Sequence, residues 1–256
     1  MKNVLTEVRR ALRENVDEAV KNGAQRFFKE TVTVYGVKSA TVGKIARQIF
    51  PDIKNIPKKE MFKLCEDLWR SGYMEESWIA CEWASRLQKG YEPSDFEIFR
   101  KWVDTYVDNW ASCDVLCNHT IGTFVEMYPE FVTRLKDWTE SSNRWMKRGS
   151  AVTLIIPARK GRFLVDILDI ADKLISDRDD LVQKGYGWML KAASEAHPDE
   201  VFAFLMERRT TMPRTAFRYA LEKMPKERRA EAMKKGRQLL PVRHDSDPNT
   251  KAPSAQ

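Results

Sequence analysis

Residues 58–85 read Lys58-Lys59-Glu60-Met61-Phe62-Lys63-Leu64-Cys65-Glu66-Asp67-Leu68-Trp69-Arg70-Ser71-Gly72-Tyr73-Met74-Glu75-Glu76-Ser77-Trp78-Ile79-Ala80-Cys81-Glu82-Trp83-Ala84-Ser85. Met61, Leu64, Cys65 and Leu68 recur at the three- and four-residue steps that align on one face of a helix. Ser71-Gly72 stops that helix. A second is predicted over 75–87, carrying Trp78, Ile79, Cys81, Trp83 and Ala84. A break this short between two apolar faces folds the helices back on each other, antiparallel.

The same pattern extends outward in both directions, and strand-like alternation is nearly absent. Val4, Val8, Leu12 and Val16 define a first helix, and 24–33 and 40–50 are read as helices separated by Tyr35-Gly36. Ser94-Asp95-Phe96-Glu97 caps a helix through Val107. Asp108 is read as the N-cap of a helix that runs past Phe124 and stops at Pro129. Further helices fit 130–139, 143–156, 161–175, 178–195, 198–208, 212–222 and 226–239. Pairs recur at roughly 35–40 residues, the spacing of HEAT-like arrays. The expected fold is all-α: an α-solenoid of antiparallel helix pairs with a concave basic face, one domain over 1–240. A polar, breaker-rich tail is expected over 241–256.

With 256 residues, 43% hydrophobic and 32% charged, the chain can bury a full core without staples. Its longest apolar stretch, Ala151 to Ala158, is far shorter than a membrane span. The N-terminus leads directly into an amphipathic helix with no signal-peptide core, and the cysteine usage fits a reducing cytoplasm as the expected setting. Cys65, Cys81, Cys113 and Cys117 are read as buried apolar thiols, because their spacing fits no zinc ribbon. His119, His197 and His244 form no triad or ligand set. Neither metal nor cofactor is expected.

The formal net charge of +7 is unevenly placed. Residues 143–162 hold Arg144, Lys147, Arg148, Arg159, Lys160 and Arg162 and no acid. From Glu200 to Arg243 twelve Lys or Arg face five Glu. Two such zones point to a polyanion-facing surface, with a solvated helix face as the plainer alternative.

Asp108-Asn109-Trp110-Ala111-Ser112-Cys113-Asp114 carries the candidate chemistry. Four residues apart on a helix, Trp110 and Asp114 share a face. An indole beside a carboxylate can cup a sugar and steady positive charge on it. The plainer reading of Asp114 is a partner for a neighbouring Arg. Asn143-Arg144-Trp145-Met146-Lys147-Arg148-Gly149 reads as a basic turn suited to phosphate. Trp188, after Gly185-Tyr186-Gly187, lies where backbone can approach a ligand. Trp69, Trp78, Trp83 and Trp102 are assigned to packing. Trp145 either packs or flanks a bound polyanion.

With these residues in view, the chain resembles the AlkD-type DNA alkylation repair glycosylases, HEAT-like proteins that remove alkylated purines. The resemblance spans roughly residues 4–238. It is carried by Arg26-Phe27-Phe28-Lys29, Tyr35-Gly36-Val37, Leu68 to Tyr73, Glu82-Trp83-Ala84, Asp108-Asn109-Trp110 with Asp114, Trp145 to Arg148, and Gly187-Trp188. It implies a cleft formed by Trp110, Asp114 and Trp188, with Arg148 holding the DNA backbone. It also implies duplex DNA with alkylated bases as partner and a monomer that needs no metal. Phe27 stands where the family often has Tyr, and Lys38 where a Gln touches the duplex. The implied activity is excision of 3-methyladenine- or 7-methylguanine-type purines. A helical-repeat protein that binds DNA structure without glycosylase activity is the alternative, and a protein-interaction scaffold a third.

Overall fold

The computed structural model describes residues 2–234, and the expected boundary at 240 and tail over 241–256 lie outside them. Among the described residues the chain is helical, with no strand. Helix α1 (Lys2–Glu14), α2 (Glu18–Ala24), α3 (Ser39–Ile53), α4 (Lys58–Trp69) and α5 (Met74–Ser85) open the stack. Then come α6 (Asp95–Thr105), α7 (Trp110–Val115), α8 (Gly122–Met127), α9 (Val132–Trp138), α10 (Arg144–Val152) and α11 (Ile155–Arg159). The chain continues through α12 (Leu164–Leu174), α13 (Asp180–Ala193), α14 (Pro198–Glu207), α15 (Arg214–Ala220) and α16 (Lys226–Met233).

The architecture is the expected α-solenoid, and the side chains report its period. The Trp83 indole donates to Ala46 O across 37 residues, and the Tyr128 hydroxyl to Tyr91 O across 37. Tyr106 reaches Glu66 across 40, Asn143 reaches Asp104 O across 39, and Arg208 reaches Asp172 across 36. Each unit touches its neighbour one repeat away, as a solenoid requires. Trp83, Trp102, Phe96, Phe99 and Phe124 are fully buried between layers, and all four cysteines are buried as free thiols.

Three expectations are corrected. Residues 24–33 are not a helix: α2 ends at Ala24, a single 3-10 turn spans Gln25–Phe27, and the chain then extends. The Gln25 side chain donates to Phe28 O and Glu30 O and accepts from Val32 N–H, replacing the bonds a helix would make. Thr31-Val32-Thr33-Val34 adds four β-branched residues that disfavour helix. Gly36 then turns the chain at φ +94. Second, the N-cap is Asn109, not Asp108; its side-chain oxygen accepts from Ser112 N–H at 2.9 Å. Third, the helix beginning there is not uniform. Between α7 and α8 lies a π-helical turn, Leu116–Ile121, on a continuous run of right-handed helical backbone.

The N-terminal extended segment is fastened by a buried carboxylate. Glu75, 1% exposed, accepts backbone N–H bonds from Tyr35, Gly36 and Val37 at 3.0, 2.8 and 3.1 Å. Beside it, buried Glu76 holds Arg9 and the Tyr35 hydroxyl. Burial pushes the Tyr35 phenol well above its ordinary range, with the Glu76 bond adding to the rise.

Candidate active site

Asp114 projects from α7 into a cleft of about 370 Å³ lined by Phe27, Lys29, Glu30, Trp110, Arg148, Leu181, Lys184, Trp188 and Tyr219. Trp110, Asp114 and Trp188, singled out from sequence, are therefore brought together. The indole of Trp110 stacks on Phe28 with centroids 5.4 Å apart, and its Nε1–H donates to Phe27 O at 3.2 Å. Phe27 itself stands 75% exposed at the cleft.

Arg148 meets Asp114 face to face. Its Nε donates to Oδ1 and its Nη2 to Oδ2, both at 2.8 Å, while Nη1 donates to Leu181 O. Arg148 lies on the buried side of α10, its side chain 6% exposed against 13% for Asp114. The basic stretch around Arg148 thus lies within the helix expected over 143–156, which ends at Val152. The Arg148 guanidinium, expected to hold a phosphate, is committed to an internal carboxylate and a carbonyl. Burial pushes the Asp114 carboxyl up from the ordinary aspartate value, against the downward pull of Arg148.

The glycines of Gly185-Tyr186-Gly187 serve the protein's own packing, not approach to a ligand. A Cβ at Gly185 would lie 3.3 Å from Arg148 Cγ. One at Gly187 would lie 2.8 Å from Ala216 O and 2.8 Å from Tyr219 Cβ. The two positions let α13 close on Arg148 and on α15. Trp188, in the cleft wall, is half-buried.

The model of the DNA alkylation repair enzyme family matches residues 8–224. The chain belongs to the DNA alkylation repair enzyme family. Membership assigns this repair enzyme a role in DNA repair. A predicted DNA alkylation repair enzyme from Enterococcus faecalis superposes with a TM-score of 0.74 at 15% identity, covering 83% of this chain and 98% of that one. The structure of smu.31 from Streptococcus mutans UA159 superposes at 0.56 with 20% identity, covering 84% of this chain and 100% of that one. At these identities the likeness is one of fold. No curated relative matches the chain.

Within this family member the expected run of open cations is not what the fold builds. Arg144 pairs with Glu30 at 2.7 Å and Asp179 at 2.5 Å, and Lys147 with Asp177 at 2.8 Å. Lys160 and Arg162 share Glu126, Arg159 faces Glu195, and Lys38 faces Asp17. Residues 143–162 contain no acid in sequence, yet the fold brings one to each cation from another element. Lys38, Arg159, Lys160 and Arg162 do not line the cleft. Trp145 is buried and packs. Among the described residues no three His, Cys, Asp or Glu side chains converge as metal ligands would, and no helix is long and apolar enough to cross a membrane.

Sequence reading missed Tyr219, Lys29, Glu30 and Lys184 as cleft residues. The signal for Tyr219 was Gly187, whose lack of a side chain admits α15; for the charged three no local pattern existed.

Proposed function

We propose that this repair enzyme is a monomeric DNA glycosylase that excises positively charged N-alkylated purines from duplex DNA. One observation carries the reading: the Asp114 carboxylate opens onto a cleft shared with the Trp110 and Trp188 indoles. A 3- or 7-alkylated purine already carries the positive charge that makes it a leaving group, so no strong acid is required. The C1′–N bond breaks with its electron pair leaving on the purine, which departs neutral. The sugar is left as an oxocarbenium-like cation. A water oxygen then bonds to C1′, and its proton passes to Asp114 or to solvent. Asp114 stabilises the developing cation, and cation–π attraction from each indole adds about 0.5–2 kcal/mol. Each carboxylate oxygen retains a lone pair beyond the one that meets Arg148.

The test is methylpurine release from methylated duplex DNA. Asp114→Asn is expected to slow release on the order of 10²–10³-fold without abolishing DNA binding. Because the Asp114 carboxyl is raised, wild-type kcat/KM should fall on the acid side at a pH above the ordinary aspartate value of about 3.9. Equal release by wild type and variant removes Asp114 from the chemistry. The closed, bidentate Arg148–Asp114 pair also favours a second reading, a DNA-structure binder in which that pair is purely structural. Binding by both proteins with release by neither establishes that one.

A further inference from the structure

We infer that the cavity between α15 and α16 is a second nucleic-acid site, a clamp for a phosphodiester of the same DNA strand whose sugar enters the Asp114 cleft. The inference rests on the DNA-repair reading above. The cavity has a volume of about 520 Å³, and Arg218, Tyr219, Glu222, Arg229 and Met233 are among its walls. Arg218 and Arg229 differ from the cations of residues 143–162 in one decisive respect. No carboxylate lies within ion-pair distance of either among the described residues, whereas Arg144, Lys147, Arg148, Arg159, Lys160 and Arg162 each face one.

The cavity's own acid is already engaged. Glu222 Oε2 accepts from Lys191 Nζ at 2.5 Å, and the same ammonium lies 5.7 Å from the centre of the Tyr219 ring. Two guanidinium forks therefore remain with no opposing charge among the described residues. Such forks suit phosphate oxygens bidentately, where a lysine would act only as a point charge. Arginine beside an exposed aromatic ring and an apolar edge is the surface that holds a nucleotide's phosphate and base face together. Tyr219, 37% exposed, lines both this cavity and the Asp114 cleft. A strand seated in one is thereby led into the other, and Gly187 fixes the junction by letting Tyr219 sit against α13.

The experiment measures binding of the full chain to a fluorescent undamaged duplex as a function of salt. Release of methylpurine from a methylated duplex is measured in parallel. Arg218→Ala/Arg229→Ala is expected to make the slope of log K against log[salt] shallower by about 1, since loss of one neutralised phosphate removes about 0.9. Arg218→Lys/Arg229→Lys should keep the wild-type slope, because the charges remain. Lys44→Ala/Lys59→Ala, which removes equal charge elsewhere, should also keep it. A wild-type slope in the alanine variant overturns the clamp, as does an equal loss in the lysine variant, which would make the arginines packing groups. Absence of methylpurine release with the slopes as expected would instead count against the glycosylase reading and leave the clamp standing.

Discussion

Most of the molecule is tied to itself one repeat away; Arg9 to Glu76 spans 67 residues, and residues 27–30 depart furthest from the rule. Trp83 to Ala46, Lys58 to Asp95, Tyr128 to Tyr91 and His197 to Gly161 all bridge 36 or 37 residues. Residues 27–30 bridge far more. Phe27 O accepts from Trp110 across 83 residues, Glu30 from Arg144 across 114, and Lys29 reaches Asp180 across 151. These long bonds all gather at the Asp114 cleft. The neighbour-to-neighbour bonds build a scaffold whose stability is a sum of local terms. The long ones lay an extended segment across several repeats and define the cleft wall. The lesson is that packing and site are made by different classes of contact, and so should fail separately.

The largest expected effect lies where the two classes meet. Glu75→Ala strips the carboxylate from three buried backbone N–H groups and loosens the base from which residues 27–30 depart. A stability loss on the order of 3 kcal/mol or more, read as a lower urea midpoint, is expected. A midpoint within experimental error of wild type would show that the segment is held elsewhere. Gly187→Ala comes next. Its methyl must displace Ala216 O and the Tyr219 side chain, costing roughly 1–3 kcal/mol and shifting Tyr219 within the cleft. Trp188 fluorescence, in a variant where it is the reporter, should move with that shift. The smallest effect on folding is expected for Lys29→Ala. The Lys29–Asp180 pair is largely exposed, so stability should change by less than about 1 kcal/mol. Affinity for duplex DNA is the property expected to change there. A drop in the urea midpoint with unaltered DNA affinity would place residues 27–30 among the scaffold contacts.

Much of this was readable from sequence and some was not, for physical reasons. Helices α4 and α5 lie within one residue or two of their expected limits, because apolar periodicity and a Ser-Gly stop are local signals. Trp110 and Asp114 share a face because four-residue spacing is likewise local, and Trp188 was reached by its neighbouring glycines and by the resemblance. The partner of Asp114 was not readable. Arg148 is 34 residues away, and its sequence neighbourhood, rich in cations and free of acids, looked like a phosphate site. The same blindness applied to the whole 143–162 zone, whose carboxylates arrive from other elements. Residues 24–33 misled for a different reason: Gln25 satisfies backbone groups that a helix would have paired internally.

The π-helical turn Leu116–Ile121 carries one more consequence. It places an additional residue in a single turn, so the chain beyond it is rotated by about 100° relative to an unbroken α-helix. With that offset, one rod points Trp110 and Asp114 at the cleft while sending Phe124 and Val125 into the core behind. Shortening the turn by a residue would force a choice between the two: either the core half keeps its seat and the acid swings aside by about a quarter of a circle, or the acid stays and the core half is unseated.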